Sequence, residues 1–325
     1  MKIAVYTICK DEEQFAKRYA EQAREADAII VTDTGSSDQT IPLLTSGGAQ
    51  INAVKINPFR FDYAFNAAID NIPEDFDACF RVDLDEVIEP GWRSIVEREW
   101  NDNVICIDRP TVGDKIFGLY RPSRIHPRHN FRWQGAIHER LIGPGVKRDS
   151  DLRVIHTPDH KKDRNYLPYA RMGAAEDPTS AGACYLLVAE CFKQSQFDEA
   201  YMEANRYLTI PCDNKNERSD VYKLMGQIFE LRKEYDRATE LFERANTESP
   251  VTRDALYCLA MMEHRRGKNK EAAIAARRAL AITTQDGWCT NPDAWSGILE
   301  SLAKDFLSED HCNIGTHSKI HKNGR

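Results

Sequence analysis

The fold class predicted here is an α/β domain on a mostly parallel sheet, followed by an all-α helical repeat. Three observations point to it. Across residues 1–163, short apolar runs rich in β-branched residues alternate with helix-patterned segments. Across residues 164–308 the strand signals stop and the tetrapeptides "FDEA", "YDRA" and "NKEA" recur. Finally, the runs of the first half end in polar clusters, which is where open α/β sheets bind ligands.

The elements follow in order. "KIAVYTI" reads as a strand, and "DEEQFAKRYAEQAREA" as a helix with Phe15, Tyr19 and Ala23 on one face and acids in its first turn. "DAIIVTD" is a second strand, closed by the turn "GSSD", and "INAVKI" a third. "FDYAFNAAIDNI" is a helix, and "FDACFRVD" a fourth strand. The polar strand ends are therefore residues 7–12, 33–38 and 83–86. In the second half, Ala238 and Ala272 stand about one tetratricopeptide period apart. The middle unit carries Tyr222, Met225, Gly226, Phe229, Ala238, Phe242, Ala245 and Pro250 in that register. The next unit has Leu256, Leu259, Ala260, Ala272 and Ala279, and a looser first unit has Leu187, Val188, Ala200 and Ala204. "PDAWSGILESLAKDFL" is expected to cap the array, and residues 309–325 to form a polar tail.

Of the 325 residues, 42% are hydrophobic and 29% charged, and the net charge of −7 argues against a general polyanion binder. No apolar run reaches transmembrane length and the first strand is too short for a signal h-region. Nine cysteines without a CxxC pair fit a reducing cytoplasm, so a cytoplasmic protein is expected.

Chemistry concentrates in "RVDLDE". In an extended segment Asp83 and Asp85 point the same way, a convergence that suits a hard divalent cation beside a phosphate-bearing ligand. An isolated D-x-D is usually a solvated turn, and here the context decides. "TICKDEE", "IIVTDTGSSDQT", the Asn66 helix, "RVDLDE", "FRWQGAIHERL" and "VIHTPDHKKDRN" together, in order, resemble the family 2 glycosyltransferases. Within that family the chain is similar to peptide S-glycosyltransferases of the sublancin type. Two departures stand out: Phe65 replaces an Arg that often precedes the Asn, and Pro158-Asp159 replaces the Gly-Tyr after the closing His.

The resemblance implies a GT-A nucleotide-diphospho-sugar transferase domain followed by a TPR-like repeat. It implies transfer of a sugar from UDP, with Mn²⁺ or Mg²⁺ as cofactor. On this reading Asp85 and His156 are metal ligands, with Asp83 on the metal through water or on the ribose. Thr7, Asp11, Glu12, Asp33, Gly35, Ser37, Asp38, Asn66, Asp83 and His138 line the donor site, an acidic group accepting from uracil N3–H. Glu139 is the implied general base, with partnership to Arg140 or His138 as the alternative, and direct attack inverts the anomeric centre. A sugar nucleotidyltransferase fits poorly, because "CKDEE" would repel a triphosphate. Between Lys115 and Arg140, Arg121, Arg124, Arg128, Arg132 and Arg140 interleave with Tyr120, Phe131 and Trp133. They read as a phosphate-facing wall, a nucleic-acid groove, or a solvated hairpin. The acceptor stays open among peptide or protein, saccharide and a hydroxymethylated DNA base. A catalytically degenerate repeat-binding module is the other class, and the repeats are expected to recognise the acceptor or to form a homodimer.

Overall fold

The computed structural model describes residues 1–108, 122–159, 165–282 and 295–304. The chain divides into two compact units, Met1–Glu176 and Asp177–Arg325.

In the first unit the order is β1 (Ile3–Cys9), α1 (Glu13–Gln22), β2 (Ala28–Asp33), α2 (Thr40–Ser46), β3 (Gln50–Ala53), α3 (Phe61–Asp70) and β4 (Ala78–Arg81). Then come β5 (Glu86–Ile88), α4 (Trp92–Glu99), β6 (Val104–Asp108), β7 (Ser123–Pro127), β8 (Arg132–Gln134), β9 (Arg140–Ile142), β10 (Lys147–His156) and α5 (Leu167–Glu176). Eight strands pair in the order β3-β2-β1-β4-β7-β6-β10-β5, and β8 and β9 form a separate hairpin. The strand period of two explains why β1 and β2 are apolar throughout. Ile3, Val5 and Cys9 face α1, α2 and α4 through Ala16, Tyr19, Leu44 and Trp92. Ala4 and Tyr6 face α3 and the hairpin through Phe65, Ala68, Trp133 and Leu141.

The expected mostly parallel sheet is found on one side only. β3, β2, β1 and β4 run parallel, whereas β7 is antiparallel to both β4 and β6. β10 is parallel to β6, and β5 antiparallel to β10. The chain leaves β4 through the turn 82–85 and re-enters the sheet as β5 at its far edge, with three strands in between. Only a curled sheet allows so short a turn to span that order. The curl sets His156 opposite Glu86 in register.

In the second unit the described helices are α6 (Ala181–Lys193), α7 (Phe197–Thr209), α8 (Lys215–Leu231), α9 (Tyr235–Glu248), α10 (Asp254–Arg265) and α11 (Asn269–Leu280), with residues 295–304 also helical. The three repeats end their first helix alike. Ser195, Lys233 and Gly267 all have positive φ. The next residue but none then donates back to a helix carbonyl: Gln196 to Cys191 (2.8 Å), Glu234 to Phe229 (2.9 Å) and Lys268 to Glu263 (2.9 Å). The small-residue register is buried as expected, from Ala200 and Ala204 through Ala238 and Ala245 to Ala272 and Ala279, whereas Pro250 is exposed. Gly226 is needed for close approach, since a Cβ there would lie 2.7 Å from the Phe242 ring.

The sequence places residues after 163 with the repeats. The structure joins α5 to the sheet unit: Tyr166 and Tyr169 pack edge-on against Phe61, Tyr169 against Phe59 as well, and Glu176 pairs with Arg60. Residues 283–294 and 305–325 lie outside the described residues, and with them the expected tail and the ends of the expected cap.

Candidate functional site

A cavity of about 850 Å³ opens at the carboxyl ends of β1, β2 and β4, where Lys10, Thr34 and Asp83 belong to its wall. Glu12, Asp85, His138, Glu139 and His156 also line it, as do Arg81, Arg124 and Trp133. Three separate devices build this site.

The first is the lock between the loops after β1 and β2. Asp11 accepts from Ser37 N (2.7 Å) and Ser37 Oγ (3.1 Å), while its own N–H donates to Ser36 Oγ (3.0 Å). Glu12 N donates to Thr40 Oγ1 (2.7 Å), and Glu13 N to Asp38 Oδ2 (3.2 Å). Asp33 accepts from Ser36 N (3.0 Å), closing the turn that Gly35 enters with φ +112°. Asp38 also accepts from Thr40 N (2.9 Å) and Thr40 Oγ1 (2.5 Å). Burial pushes the Asp38 carboxyl up, but these donors outweigh it and hold it below the ordinary value. Of the expected donor-site residues here, only Glu12 lines the cavity; Thr7 is buried in β1. Asp11, Asp33, Gly35, Ser37 and Asp38 knit the sheet edge instead of lining the cavity.

The second device is the acid turn. Asp83 and Asp85 both reach the cavity, yet not by strand alternation: residues 82–85 form a turn in which Glu86 N donates to Asp83 O (3.0 Å). Asp85 is held by Thr157, whose N and Oγ1 each donate to its carbonyl (2.7 Å), and Arg18 bonds Thr157 Oγ1 (2.9 Å). Asp85 Oδ2 lies 3.2 Å from His156 Nε2. Asp83 turns elsewhere, with Oδ1 3.3 Å from Arg81 Nε and Oδ2 3.9 Å from Arg124 Nη1. Of the expected trio Asp83, Asp85 and His156, Asp85 is the carboxylate in contact with His156. Among the described residues no group of three His, Cys, Asp or Glu side chains is arranged to hold a metal. The Asp85–His156 pair fits a cation that takes its remaining ligands from a diphosphate and water. Glu86 is fully buried, ion-paired with the equally buried Arg124 (2.7 Å), and accepts from Asp83 N (2.8 Å).

The third device carries Glu139. Asn66 is not in the cavity wall. Its carboxamide donates to Trp133 O and accepts from Trp133 N, both at 2.9 Å, so it clamps β8 to α3. At the start of α3, Asp62 accepts from Gly135 N (2.9 Å) and Phe61 N bonds Ala136 O (3.3 Å). The loop after β8 is thereby tied down, with Gly135 at φ +118° and His138 at φ +50°. Glu139 then meets Arg81 (Oε1 to Nη1, 2.6 Å), rather than the expected Arg140 or His138. Arg81 lies against the rings of Phe65 (3.7 Å to the centroid) and Trp133 (4.5 Å). Burial opposes its charge, but Asp83 and Glu139 more than restore it. Its signal in the sequence is a lone cation inside the apolar run "DACFRV".

The arginine–aromatic stretch is partly internal where described: Arg132 and Arg140 are exposed. Arg124 and Arg128 are buried, the latter donating to Ile72 O (2.8 Å), and Phe131 and Trp133 are core residues. Arg132 is half exposed and pairs with Asp70 (2.8 Å). The nucleic-acid groove therefore loses two of its cations and both of its described aromatics. Lys115, Tyr120 and Arg121 lie outside the described residues, as do residues 160–164 of the closing segment.

Fold and site define an α/β unit with a curled mixed sheet and an acid-lined cavity, joined to a helical repeat. No family model matches the chain, and no curated protein does. Solved structures give partial likenesses. One is a MamA protein, 16% identical at a TM-score of 0.32, over 36% of this chain and 66% of that one. A second is glucosyl-3-phosphoglycerate synthase from Mycobacterium tuberculosis in complex with phosphoglyceric acid, 17% identical at 0.30, over 35% and 46%. Pseudomonas aeruginosa pilF is 21% identical at 0.35, over 44% and 61%. The chain thus spans less than two thirds of the length of each of these three. Among the described residues no helix is long and apolar enough to cross a membrane.

Proposed function

We propose that this chain is a nucleotide-sugar-dependent glycosyltransferase of GT-A type, using a UDP-sugar with Mn²⁺ or Mg²⁺. The observation that carries the reading is one cavity at the parallel strand ends holding both the Asp85–His156 pair and Glu139. Asp85 and His156 hold the cation, which when bound supplies positive charge to the departing diphosphate. Glu12, Lys10 and His138 line the same cavity and would meet the donor's polar edges. The acceptor's nucleophilic atom bonds to the anomeric carbon as that carbon's bond to the β-phosphate oxygen breaks. UDP leaves with the bonding electron pair, and Glu139 takes the acceptor's proton. The sequence series supports a peptide or saccharide as acceptor; the burial of Arg124 and Arg128 speaks against a DNA base.

The test is UDP release from a panel of UDP-sugars with Mn²⁺ or Mg²⁺. Release is expected to stop with a chelator and to fall roughly 10²- to 10³-fold in Asp85→Asn at an unchanged melting temperature. No release from any donor, with either metal, overturns the reading.

A further inference from the structure

The acid turn and the Glu139 loop come from distant parts of the chain, and one side chain touches both. Arg81 ends β4, and its side chain is only 13% exposed. Its Nη1 meets Glu139 Oε1 at 2.6 Å and its Nε meets Asp83 Oδ1 at 3.3 Å. The guanidinium plane cannot satisfy two carboxylates from arbitrary orientations, because its donors form a rigid fork. Phe65 and Trp133 set that orientation. Phe65 belongs to α3, which Asn66 clamps to the Trp133 backbone.

Trp133 is itself aimed from below by a buried hydrogen-bonded chain. Its Nε1–H donates to Tyr6 OH (2.8 Å), and Tyr6 OH lies 2.8 Å from His126 Nε2. Burial holds His126 down to about 4, so the ring is neutral. Its Nδ1 lies 2.7 Å from Pro127 O, a partner that can only accept. The Nδ1 therefore carries the hydrogen, Nε2 accepts, and Tyr6 must donate to it. All donors in the chain run one way, which leaves the Trp133 plane a single arrangement.

We propose that Arg81 is a positioning residue for group transfer: held against Phe65 and Trp133, it fixes Glu139 relative to the Asp83 turn. The proposal rests on the transferase reading above. In Arg81→Ala, the space against the two rings and beside Glu139 and Asp83 is vacated, and a free guanidinium ion carries the charge and planar donors that the side chain supplied there. Lysine, a point charge without the fork, cannot serve both carboxylates.

The experiment measures UDP release from whichever UDP-sugar the full-length wild type turns over. Arg81→Ala is expected to lose on the order of 10²-fold in kcat, the scale of a misplaced reacting group. Tens of millimolar methylguanidinium restore at least tenfold, Arg81→Lys stays near Arg81→Ala, and wild type gains nothing. Melting curves of each variant establish that it is folded. A folded Arg81→Ala within threefold of wild type overturns the proposal, and so does one that methylguanidinium leaves unchanged. A wild type that releases no UDP overturns the transferase reading instead, and the proposal falls with it.

Discussion

Replacing Glu86 by Ala is expected to damage the fold more than any chemistry at the acid turn. Glu86 is fully buried, and Arg124 beside it is nearly so. Arg124 Nε and Nη1 have no hydrogen-bond partner among the described residues, so its charge leans chiefly on the 2.7 Å contact with Glu86, Asp83 lying farther off at 3.9 Å. Removing one partner of such a pair costs about 3–5 kcal/mol, because the other charge stays buried and uncompensated. The lost acceptor for Asp83 N adds roughly 1 kcal/mol. For a unit the size of Met1–Glu176, about 4 kcal/mol lowers the melting temperature by roughly 8–16 °C. Urea and thermal melts of the full chain measure this, with Glu86→Ala, Arg124→Leu and the double variant closing a cycle. The double variant should be more stable than Glu86→Ala alone, because no orphaned charge remains. If Glu86→Ala melts within 1–2 °C of wild type, or the double variant is the weaker of the two, the ion pair does not hold the turn.

His126 sets a second expectation. Its folded pKa of about 4 lies below the unfolded value near 6.5, through burial and the nearby Arg128 and Arg132. The unfolded chain therefore binds a proton that the folded chain refuses. Stability is fully present above about pH 6.5 and falls as pH drops towards 4, by on the order of 2 kcal/mol at pH 5. His126→Asn should flatten urea midpoints between pH 7 and pH 5; a slope equal to wild type refutes the assignment. In the repeat unit, Gly226→Ala forces a Cβ to 2.7 Å from Phe242 and should cost about 1–3 kcal/mol, read from the loss of helical circular dichroism on heating. Gly182→Ala is the control, since its Cβ would meet nothing within 4 Å.

The halves of this chain differed in how much of them could be read from residues alone. The repeat was legible in detail because its constraints are local: small residues that pack one helix on the next lie within a single hairpin and recur one period apart. Strands β1, β2 and β4 were legible because burial on both faces leaves an apolar run. The acid turn was legible as a place but not as a geometry, since Asp83 and Asp85 reach the cavity from a turn and Asp83 faces arginines rather than His156. Asp11, Asp33 and Asp38 drew attention as ligand readers because polar strand ends usually are. The carboxylates of Asp11 and Asp38 instead cross-link two loops, while that of Asp33 closes its own turn, and no spacing within either loop discloses the other. Arg124 and Arg128 looked like a surface stripe because an arginine's burial depends on partners far along the chain.

The sequence by itself determined the order of elements, the apolar faces of the strands, the repeat register and the segments that carry polar chemistry, all set by periodicities and turn preferences over a few residues. Only the tertiary structure decided which polar groups meet. The curl of the sheet sets His156 beside Asp85, and the α3–β8 clamp brings Glu139 onto Arg81. These contacts join side chains roughly 60 or 70 positions apart, and partners so distant come together only once the whole unit has closed.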